Sequence, residues 1–193
     1  MEGLIIRAVS EEDAQGILEI YDPIVRHSHT SFELEVPGME EMKQRIKTIS
    51  IDRPYLVGEL NGEVIGYTYA VQLRGRVAYR FTAEASIYIK SNVQNRGIGG
   101  RLYKALLSIL AKTNHRTVYG VITLPNENSQ KFHKQMGFKN VGVFKEAGYK
   151  FGNWYDIDWW EKKLNTSQSG INEIIPFHVF RQTKDFAKIC QGI

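Results

Sequence analysis

Residues 91–101 hold the side chains and glycines whose types and spacing most clearly point to chemistry. Here Gln94-Asn95-Arg96-Gly97-Ile98-Gly99 lies between a strand-like stretch and a helix-like pattern. A helix that begins directly after a strand directs free backbone N–H groups and the positive end of its dipole at one point. Gly97 and Gly99 let a ligand approach the backbone, and Arg96 can add a charge-assisted contact. The loop is therefore predicted to bind an anion, with a plain connecting turn as the alternative.

Two glycine-rich nucleotide motifs do not fit this loop. The Gly-Lys-Ser/Thr ending of a P-loop is absent, and Gly97-Ile98-Gly99-Gly100 lacks the spacing of a dinucleotide fingerprint. Short glycine motifs recur by chance, so the loop alone does not identify its ligand.

Two side chains are candidates for proton transfer. Glu84 is a carboxylate in an otherwise apolar strand, where it shares a face with Ser86 and Tyr88. Burial there would raise its pKa and suit a general base, whereas a surface or ion-paired glutamate is the alternative. His133 lies on a short predicted helix, seven residues after Asn126, and histidine can donate or accept a proton near neutral pH. A histidine on the helix surface or hydrogen-bonded in the core is the alternative.

The elements that must position these residues follow the order β-α-α-β-β-β-α-β-α-β-β, an α/β layer fold with one central crossover. Ser10 is expected to cap the first helix, with Asp13 completing a capping box. Asn61-Gly62 between two apolar stretches predicts a hairpin. The glycine loop is expected between a strand over 81–90 and a helix over 97–112. The other strands are predicted over 4–9, 55–60, 63–70, 116–123, 141–150 and 154–162, and a short helix over 128–136.

The chain divides into a predicted domain over residues 1–164 and a C-terminal extension over residues 165–193 of unknown role. Residues 165–170 have the composition of a linker. Phe177, Phe180, Phe186 and Ile189 make the remainder too apolar for a disordered tail. The extension could pack on the domain or on a second subunit.

Composition narrows the class of protein. The 193 residues suit one domain with a sizeable core, and the net charge of +4 suits an anionic partner. Lysine and arginine are dispersed without a recognition motif, so no nucleic acid is expected as a partner. Neither a membrane-spanning run nor a signal peptide is recognisable, and the single Cys190 fits a cytoplasmic protein. His27 and His29 stand without further ligands, so no metal is expected.

A resemblance to a known family gives the glycine loop a more specific interpretation. Gln94-x-x-Gly97-x-Gly99 matches the Q/R-x-x-G-x-G/A signature of the GNAT acetyltransferases, after the fourth strand and at the start of the third helix. The segments at 86–89, 126–129 and 136–138 also lie where that family has them. Residues 31–33, 82–88 and 150–156, among others, resemble the phosphinothricin and methionine-sulfoximine N-acetyltransferases. The resemblance covers about residues 4–164.

This resemblance implies an α/β (α+β) fold of the GNAT acyl-CoA N-acyltransferase type, with a central, mixed, mostly antiparallel twisted sheet flanked by helices. It implies that acetyl-CoA, as co-substrate, gives its acetyl group to the primary amine of a small amino acid or analogue. Glu84 would be the base, and His133 would transfer a proton at a position where most of the family has tyrosine. The cofactor-binding residues would be Ile87, Tyr88, Ile89, Gln94, Asn95, Arg96, Gly97, Ile98, Gly99, Asn126 and Ser129.

The acceptor is expected to bind among Phe32, Arg74, Arg76 and Tyr79. An arginine fork matches a carboxylate or a phosphinate, whereas a solvated basic loop is the alternative. Trp159 and Trp160 are expected in the core or at an interface. The resemblance also implies a homodimer with the C-terminal strands at its interface.

Other functions stay open on the sequence. The chain could acetylate a protein N-terminus or a lysine, as other members of this fold do, or it could bind CoA without catalysis. A nucleic-acid-binding module is the weakest alternative. A closed pocket with an arginine anchor would favour a small acceptor, and an open groove would favour a peptide. The presence of both Glu84 and His133 argues against a silent module.

Overall fold

The computed structural model of the protein describes residues 3–166 and 172–192, so most of the predicted linker over 165–170 lies outside the described residues. The strands are β1 (Leu4–Ala8), β2 (Tyr55–Leu60), β3 (Glu63–Gln72), β4 (Thr82–Ile89), β5 (Thr117–Thr123), β6 (Lys139–Lys150) and β7 (Asn153–Lys163). They form one sheet in the order β1-β2-β3-β4-β5-β7-β6. Neighbouring strands are antiparallel except β4 and β5, which are parallel. The predicted mixed, mostly antiparallel sheet is confirmed.

Helices cover both faces of this sheet. They are α1 (Ala14–His27), α2 (Met39–Asp52), α3 (Ile98–Lys112), α4 (Glu127–Gln135), α5 (Phe177–Phe180) and α6 (Lys184–Gln191). Up to β7, the elements follow the predicted order, and no boundary given above shifts by more than two residues.

Local signals explain where several elements begin. The backbone N–H of Ser10 donates to Asp13 Oδ2 at 2.8 Å, as expected for the predicted capping box. A short 3-10 turn over Glu11–Asp13 comes first, however, so the regular helix α1 begins only at Ala14. Asn61 and Gly62 have φ angles of 53° and 81°, the left-handed values that a two-residue hairpin turn requires.

The two faces of β4 meet different layers of the core. Ala83 and Ala85 are buried against the side of the sheet that α3 covers. Tyr88 was expected on a polar face, but its ring centroid lies 5.3 Å from that of Tyr21 and 5.1 Å from that of Tyr67. Because α1 covers this end of the strand, the second face of β4 is aromatic at Tyr88 and polar only further back, toward Glu84.

The parallel strands β4 and β5 pair over a short distance. Three residue pairs join them within the described chain, and the last of these is Glu84 with Tyr119. β4 stays paired with β3 as far as Ile89, and β5 stays paired with β7 as far as Thr123. Each strand thus keeps its outer neighbour while the two separate from each other, which leaves a wedge-shaped gap whose apex is at Glu84.

The described part of the C-terminal extension, residues 172–192, packs on the domain. Phe177 is 0% exposed and Phe180 is 4% exposed, and both belong to the core that α3 forms with the sheet. The side chains of Phe186 and Ile189 pack against the same core. Burial of these phenylalanines removes apolar surface from water and stabilises the fold.

His115, in the turn between α3 and β5, is a buried group that should make stability depend on pH. It is 0% exposed, and its Nδ1 lies 3.0 Å from the Thr113 hydroxyl. Burial, together with the positive charge of Arg53, lowers the pKa of His115 from 6.5 to about 3. The unfolded chain therefore takes up this proton at a higher pH than the native chain does.

We predict that His115→Gln removes part of the acid sensitivity of the fold. In the wild type, this histidine should lower the free energy of unfolding as the pH falls from 6.5 toward 3, by up to about 1.4 kcal/mol per pH unit. Urea unfolding at a series of pH values measures the difference between the two proteins. Parallel pH profiles for wild type and variant would contradict the expected protonation.

Candidate active site

The gap between β4 and β5 opens into a cavity of about 680 Å³. Residues 85–89 of β4 and 121–123 of β5 form its two sides, and the first turn of α3 and the inner face of α4 complete it. The predicted cofactor residues that line the cavity are Ile87, Tyr88, Ile89, Gln94, Asn95, Gly97, Ile98, Gly99, Asn126 and Ser129. Arg96 is exposed and is not among the lining residues, so a contact from its guanidinium stays a prediction.

The edge of β4 that faces the gap offers backbone groups to a ligand. The carbonyl of Ser86 accepts a hydrogen bond from Thr68 at 2.7 Å, and the N–H of Lys90 donates to Ile65 at 2.9 Å, both toward β3. Because backbone groups alternate along a strand, those of Ile87 and Ile89 point the other way, into the gap. An extended ligand that carries amides can pair there as an added strand would. The Gln94 amide already donates to the carbonyl of Ile89 at 3.2 Å.

The start of α3 has the geometry that the predicted anion site requires. Gly97 is its N-cap and has φ of 79°, a left-handed conformation that strains other residues. The first N–H groups of a helix have no partner within it, and here they border the cavity. Ile98 contributes its backbone alone, because its side chain is buried in the core. A Cβ on Gly99 would lie 3.6–3.7 Å from Ile89, Ile87 and Phe132, that is, on the wall of the cavity.

We predict that Gly99→Val weakens acetyl-CoA binding at least tenfold, about 1.4 kcal/mol. The isopropyl group would fill the space between β4 and α4 without requiring a left-handed backbone. Calorimetric titration measures the affinity. Gly38→Val is the matched control, because a Cβ there meets nothing within 4 Å and Gly38 lies outside the cavity. Unchanged affinity in a folded Gly99→Val protein would place the cofactor elsewhere.

His133 projects from α4 onto β5 and is buried. Its ring lies on Gly120, where any Cβ would overlap the imidazole. Nδ1 lies 2.9 Å from the carbonyl oxygen of Ser129, so Nδ1 carries the proton and donates it. Nε2 therefore accepts from the Tyr103 hydroxyl at 3.3 Å. Burial lowers the pKa of His133, which keeps the imidazole neutral at neutral pH.

Asn126 begins α4 and holds its first turn. Its side-chain oxygen accepts from the backbone N–H of Ser129 at 3.1 Å, which makes it the N-cap. The helix-entry alternative is therefore realised, while both residues also line the cavity. A role for Asn126 and Ser129 in holding the cofactor stays a prediction.

Glu84 lies at the apex of the gap, on the opposite face of the sheet from His133. It pairs with Tyr119, whereas the next residue of β5, Gly120, faces the imidazole. Since neighbouring residues of a strand point to opposite faces, the two candidates approach the apex from different sides. Burial raises the pKa of Glu84, and the charge of Arg74 partly opposes that shift.

On the face that carries Glu84, the predicted acceptor residue Arg74 has a neighbour, Trp159, that the sequence did not assign to this site. The Arg74 guanidinium lies 5.9 Å from the ring centroid of Trp159, which we expected in the core or at an interface. Beside them is a largely apolar cavity of about 240 Å³. Its lining residues are Leu73, Arg74, Tyr119, Val141, Gly142, Phe144 and Trp159. Because Trp159 becomes a neighbour of Arg74 only through the pairing of β5 with β7, no local pattern could reveal it.

A second carboxylate, Glu33, also lies near this face. Its Oε1 accepts from Arg45 Nη1 at 2.6 Å, and it influences the same buried hydroxyl, that of Tyr69, as Glu84 does. Desolvation raises the pKa of Tyr69, with smaller effects from the two carboxylates. Glu33 was part of the family resemblance at residues 31–33, and that was the signal that could have identified it.

Among the predicted acceptor residues, Phe32 packs against the hairpin of β6 and β7 and is not among the lining residues of either cavity, whereas the others lie on an open loop. The Phe32 ring packs on Gly148 of β6, and its centroid lies 6.4 Å from that of Tyr155. Lys150 fixes the chain before it, since Nζ donates to the carbonyls of Val25, Ser28 and Ser31 at 2.7–2.9 Å. Arg76 and Tyr79 are exposed between β3 and β4.

Metal-ligand groups and membrane-spanning helices are both absent from residues 3–166 and 172–192. No group of three or more His, Cys, Asp or Glu side chains there is arranged to hold a metal ion. In the same part of the chain, none of the helices has both the length and the apolar character needed to cross a bilayer.

The chain is similar in sequence to known acetyltransferases. The acetyltransferase (GNAT) domain family matches residues 6–159. The chain is 35% identical over 173 residues to the phosphinothricin N-acetyltransferase of Alcaligenes faecalis, a match that covers 87% of this chain and 86% of that protein. It is 26% identical over 163 residues to the L-methionine sulfoximine/L-methionine sulfone acetyltransferase of Salmonella typhimurium, covering 84% and 95%.

A solved structure of a phosphinothricin acetyltransferase is also similar to this chain. The GNAT superfamily phosphinothricin acetyltransferase of Sinorhizobium meliloti, in complex with AcCoA, matches with a TM-score of 0.83 and 30% identity, over 91% of this chain and 98% of that chain. The chain belongs to the GNAT acetyltransferase family. The predicted fold class and enzyme class are confirmed.

Proposed function

We propose that the protein transfers the acetyl group of acetyl-CoA to the α-amine of a small amino acid or amino-acid analogue. The observation that carries this proposal is the half-buried Glu84 carboxylate at the apex of the gap, with a cofactor-sized cavity opening from that apex and Arg74 on the same side as Glu84. The names of the relatives support an acceptor of the phosphinothricin or methionine-sulfoximine type.

Acetyl-CoA supplies an acetyl group activated as a thioester, and each part of the molecule has a fitting partner. The first turn of α3, from Gly97 onward, would hold the pyrophosphate through backbone N–H groups. The backbone of Ile87 and Ile89 would pair with the pantetheine amides. A volume of about 680 Å³ lies within the range of small-molecule sites.

Glu84 is assigned as the general base. The acceptor arrives as an ammonium without a lone pair, so a proton must leave the nitrogen before or during its attack on the carbonyl carbon. Burial moves the pKa of Glu84 upward, toward neutral pH, and this makes the carboxylate a stronger proton acceptor. Attack forms the C–N bond, and the C–S bond then breaks to release a thiolate.

His133 is assigned to the cofactor side of the sheet. In its resting state it is neutral, with Nδ1–H bonded to Ser129 and Nε2 accepting from Tyr103. A neutral imidazole is a very weak acid, so the resting His133 accepts a proton more readily than it donates one. A proton that His133 delivers to the thiolate must therefore first reach the imidazole.

Arg74 and the apolar cavity beside it define the acceptor that fits. A guanidinium binds a carboxylate as a bidentate fork, and Arg74 can do this next to Trp159. The neighbouring cavity of about 240 Å³ suits a medium-sized, mostly apolar side chain such as that of a methionine derivative. We assign Arg76 and Tyr79 to the outer rim of this site, because both are exposed.

A protein N-terminus or a lysine is the second candidate acceptor, and one observation favours it. Residues 74–79 are all exposed, so the acceptor side is more open than a closed amino-acid pocket would be. A peptide could approach there without displacing packed side chains.

We also propose that the protein is a cytoplasmic homodimer. β6 is an edge strand, and the hairpin that it forms with β7 exposes several large apolar side chains. Those that do not line either cavity are Val143, Tyr149, Phe151 and Trp154. A patch of this kind usually marks an interface, and pairing with a second copy would cover it. A monomer in sedimentation equilibrium at micromolar concentration would contradict the dimer.

We predict that Glu84→Gln lowers turnover by roughly 10²–10⁴, the usual contribution of general acid–base catalysis. The amide keeps the size of the side chain but cannot accept the proton. Acetyl-CoA affinity should barely change, because Glu84 does not line the cofactor cavity. The measurement is the pH dependence of kcat/KM with the best acceptor, together with calorimetry of acetyl-CoA binding.

Glu59→Gln is the matched control for this substitution, since Glu59, paired with Arg7, is a strand carboxylate on β2, which β3 separates from the strand of Glu84. Its turnover should match that of the wild type. Near-normal turnover of Glu84→Gln at neutral pH would transfer the role of base to His133 or to solvent.

A further inference from the structure

We propose that the C-terminal extension braces the loop that carries the acceptor arginines, and that Glu173 is the positioning residue through which it does so. This loop, residues 73–81 between β3 and β4, is called the acceptor loop below. The inference rests on the proposed function, because that function places Arg74 at the acceptor. It goes further by giving a role to residues that lie beyond the family match, which ends at residue 159.

Contacts of the extension with the domain fix the backbone of Glu173 independently of its side chain. The carbonyl of Glu173 accepts from the Asn114 amide at 2.7 Å, and the N–H of Ile175 donates to the carbonyl of Thr113 at 3.3 Å. Phe177 follows and is fully buried in the core. The imidazole of His178 donates from Nδ1 to the carbonyl of Ile51 at 2.8 Å, at the end of α2. The segment is thus held to the ends of both α2 and α3.

From this fixed position, the Glu173 carboxylate reaches the acceptor loop. It accepts from Nε of Arg80 at 3.2 Å and from Nη2 of the same guanidinium at 3.3 Å, a bidentate pairing. The guanidinium also lies over the Phe81 ring, 4.2 Å from its centroid. An ion pair at the surface contributes little to overall stability. Its consequence here is geometric, because one partner is anchored and the other belongs to an exposed loop.

A chain of hydrogen bonds links Arg80 to the acceptor arginines. Its carbonyl accepts from Arg53 Nη2 at 3.0 Å, and the same nitrogen of Arg53 donates to Gln72 Oε1 at 3.3 Å. The Gln72 amide then donates to the carbonyls of Arg74 and Arg76 at 2.6 and 3.0 Å. Gln72 and Arg53 therefore hold the loop from within the domain, and Glu173 holds it from outside.

The acceptor loop depends on these bonds because it has little packing of its own. Every residue from 74 to 79 is exposed, so buried apolar contacts do not fix its conformation. When the outer bond is removed, the loop should sample more conformations, and the acceptor must then select the competent one. The expected consequence is weaker acceptor binding with unchanged chemistry once the acceptor is bound.

The first test is Glu173→Gln in the full chain. We expect the KM of the best amino-acid acceptor to rise roughly twofold to fivefold, the range that one surface ion pair contributes. The kcat, the KM of acetyl-CoA and the midpoint of thermal unfolding should stay at wild-type values. Asp185→Asn is the matched control, because it breaks a different ion pair of the extension, with Lys112, without touching the loop. It should leave all four quantities unchanged.

The second test is a charge swap between Arg80 and Glu173. Arg80→Glu and Glu173→Arg should each raise the acceptor KM, because each places like charges at the pairing position. The double variant restores opposite charges and should recover most of the loss. A double variant as impaired as the worse single variant would overturn the brace, as would an unchanged acceptor KM in Glu173→Gln.

Hydrogen–deuterium exchange separates the brace from the proposed function. The backbone amides of residues 74–79 should exchange faster in Glu173→Gln than in Asp185→Asn, with no acceptor present. Unchanged exchange would refute the brace even if the enzyme acetylates amino acids. If exchange increases but no amino acid is acetylated by the wild type, the proposed function fails and the brace stands.

Discussion

The site depends on one constraint, namely that the parallel strands β4 and β5 can pair with each other only as far as Glu84 and Tyr119. Each strand continues with its other neighbour, so neither can turn to follow the other. Backbone groups on the inner edges are then left to a ligand or to water, because a buried N–H or C=O without a partner is costly. The cavity, the free edge of β4 and the apex all follow from that separation.

Burial shifts the pKa values of the two candidate proton-transfer groups in opposite directions, and in both cases it favours the neutral form. It raises the pKa of the Glu84 carboxyl and lowers the pKa of the His133 imidazole, because a low-dielectric surrounding disfavours either charge. The sheet itself separates the two groups, since the pairing of Tyr119 with Glu84 places the carboxylate on one face and Gly120 places the imidazole on the other. The proposed division of labour between acceptor side and cofactor side follows from this alternation.

Features that depend on local sequence rules or on the family signature could be predicted from the sequence. The turn at Asn61-Gly62, the start of α3 at Gly97 and the order of elements depend on neighbours in the chain, so they could be predicted without coordinates. The prediction that Tyr88 lies on a polar face was wrong. Alternation along a strand identifies two faces, but it does not reveal that α1 covers one of them. Trp159 was not expected beside Arg74, since that contact requires a long-range pairing of strands. The contact between Glu173 and Arg80 was also not predicted, because these residues are 93 positions apart and no local pattern relates them.

The central claim is that Glu84 and Arg74 serve an amino acid that presents both an α-amine and a free carboxylate. The most direct measurement is thiol release from acetyl-CoA with methionine sulfoximine, its α-carboxamide and a short peptide, with the acetylated nitrogen located by mass spectrometry. The account predicts acetylation of the α-nitrogen of the free amino acid, and a kcat/KM for the carboxamide that is lower by an order of magnitude or more. Equal kcat/KM values for acid and carboxamide, or a preference for the peptide, would contradict it.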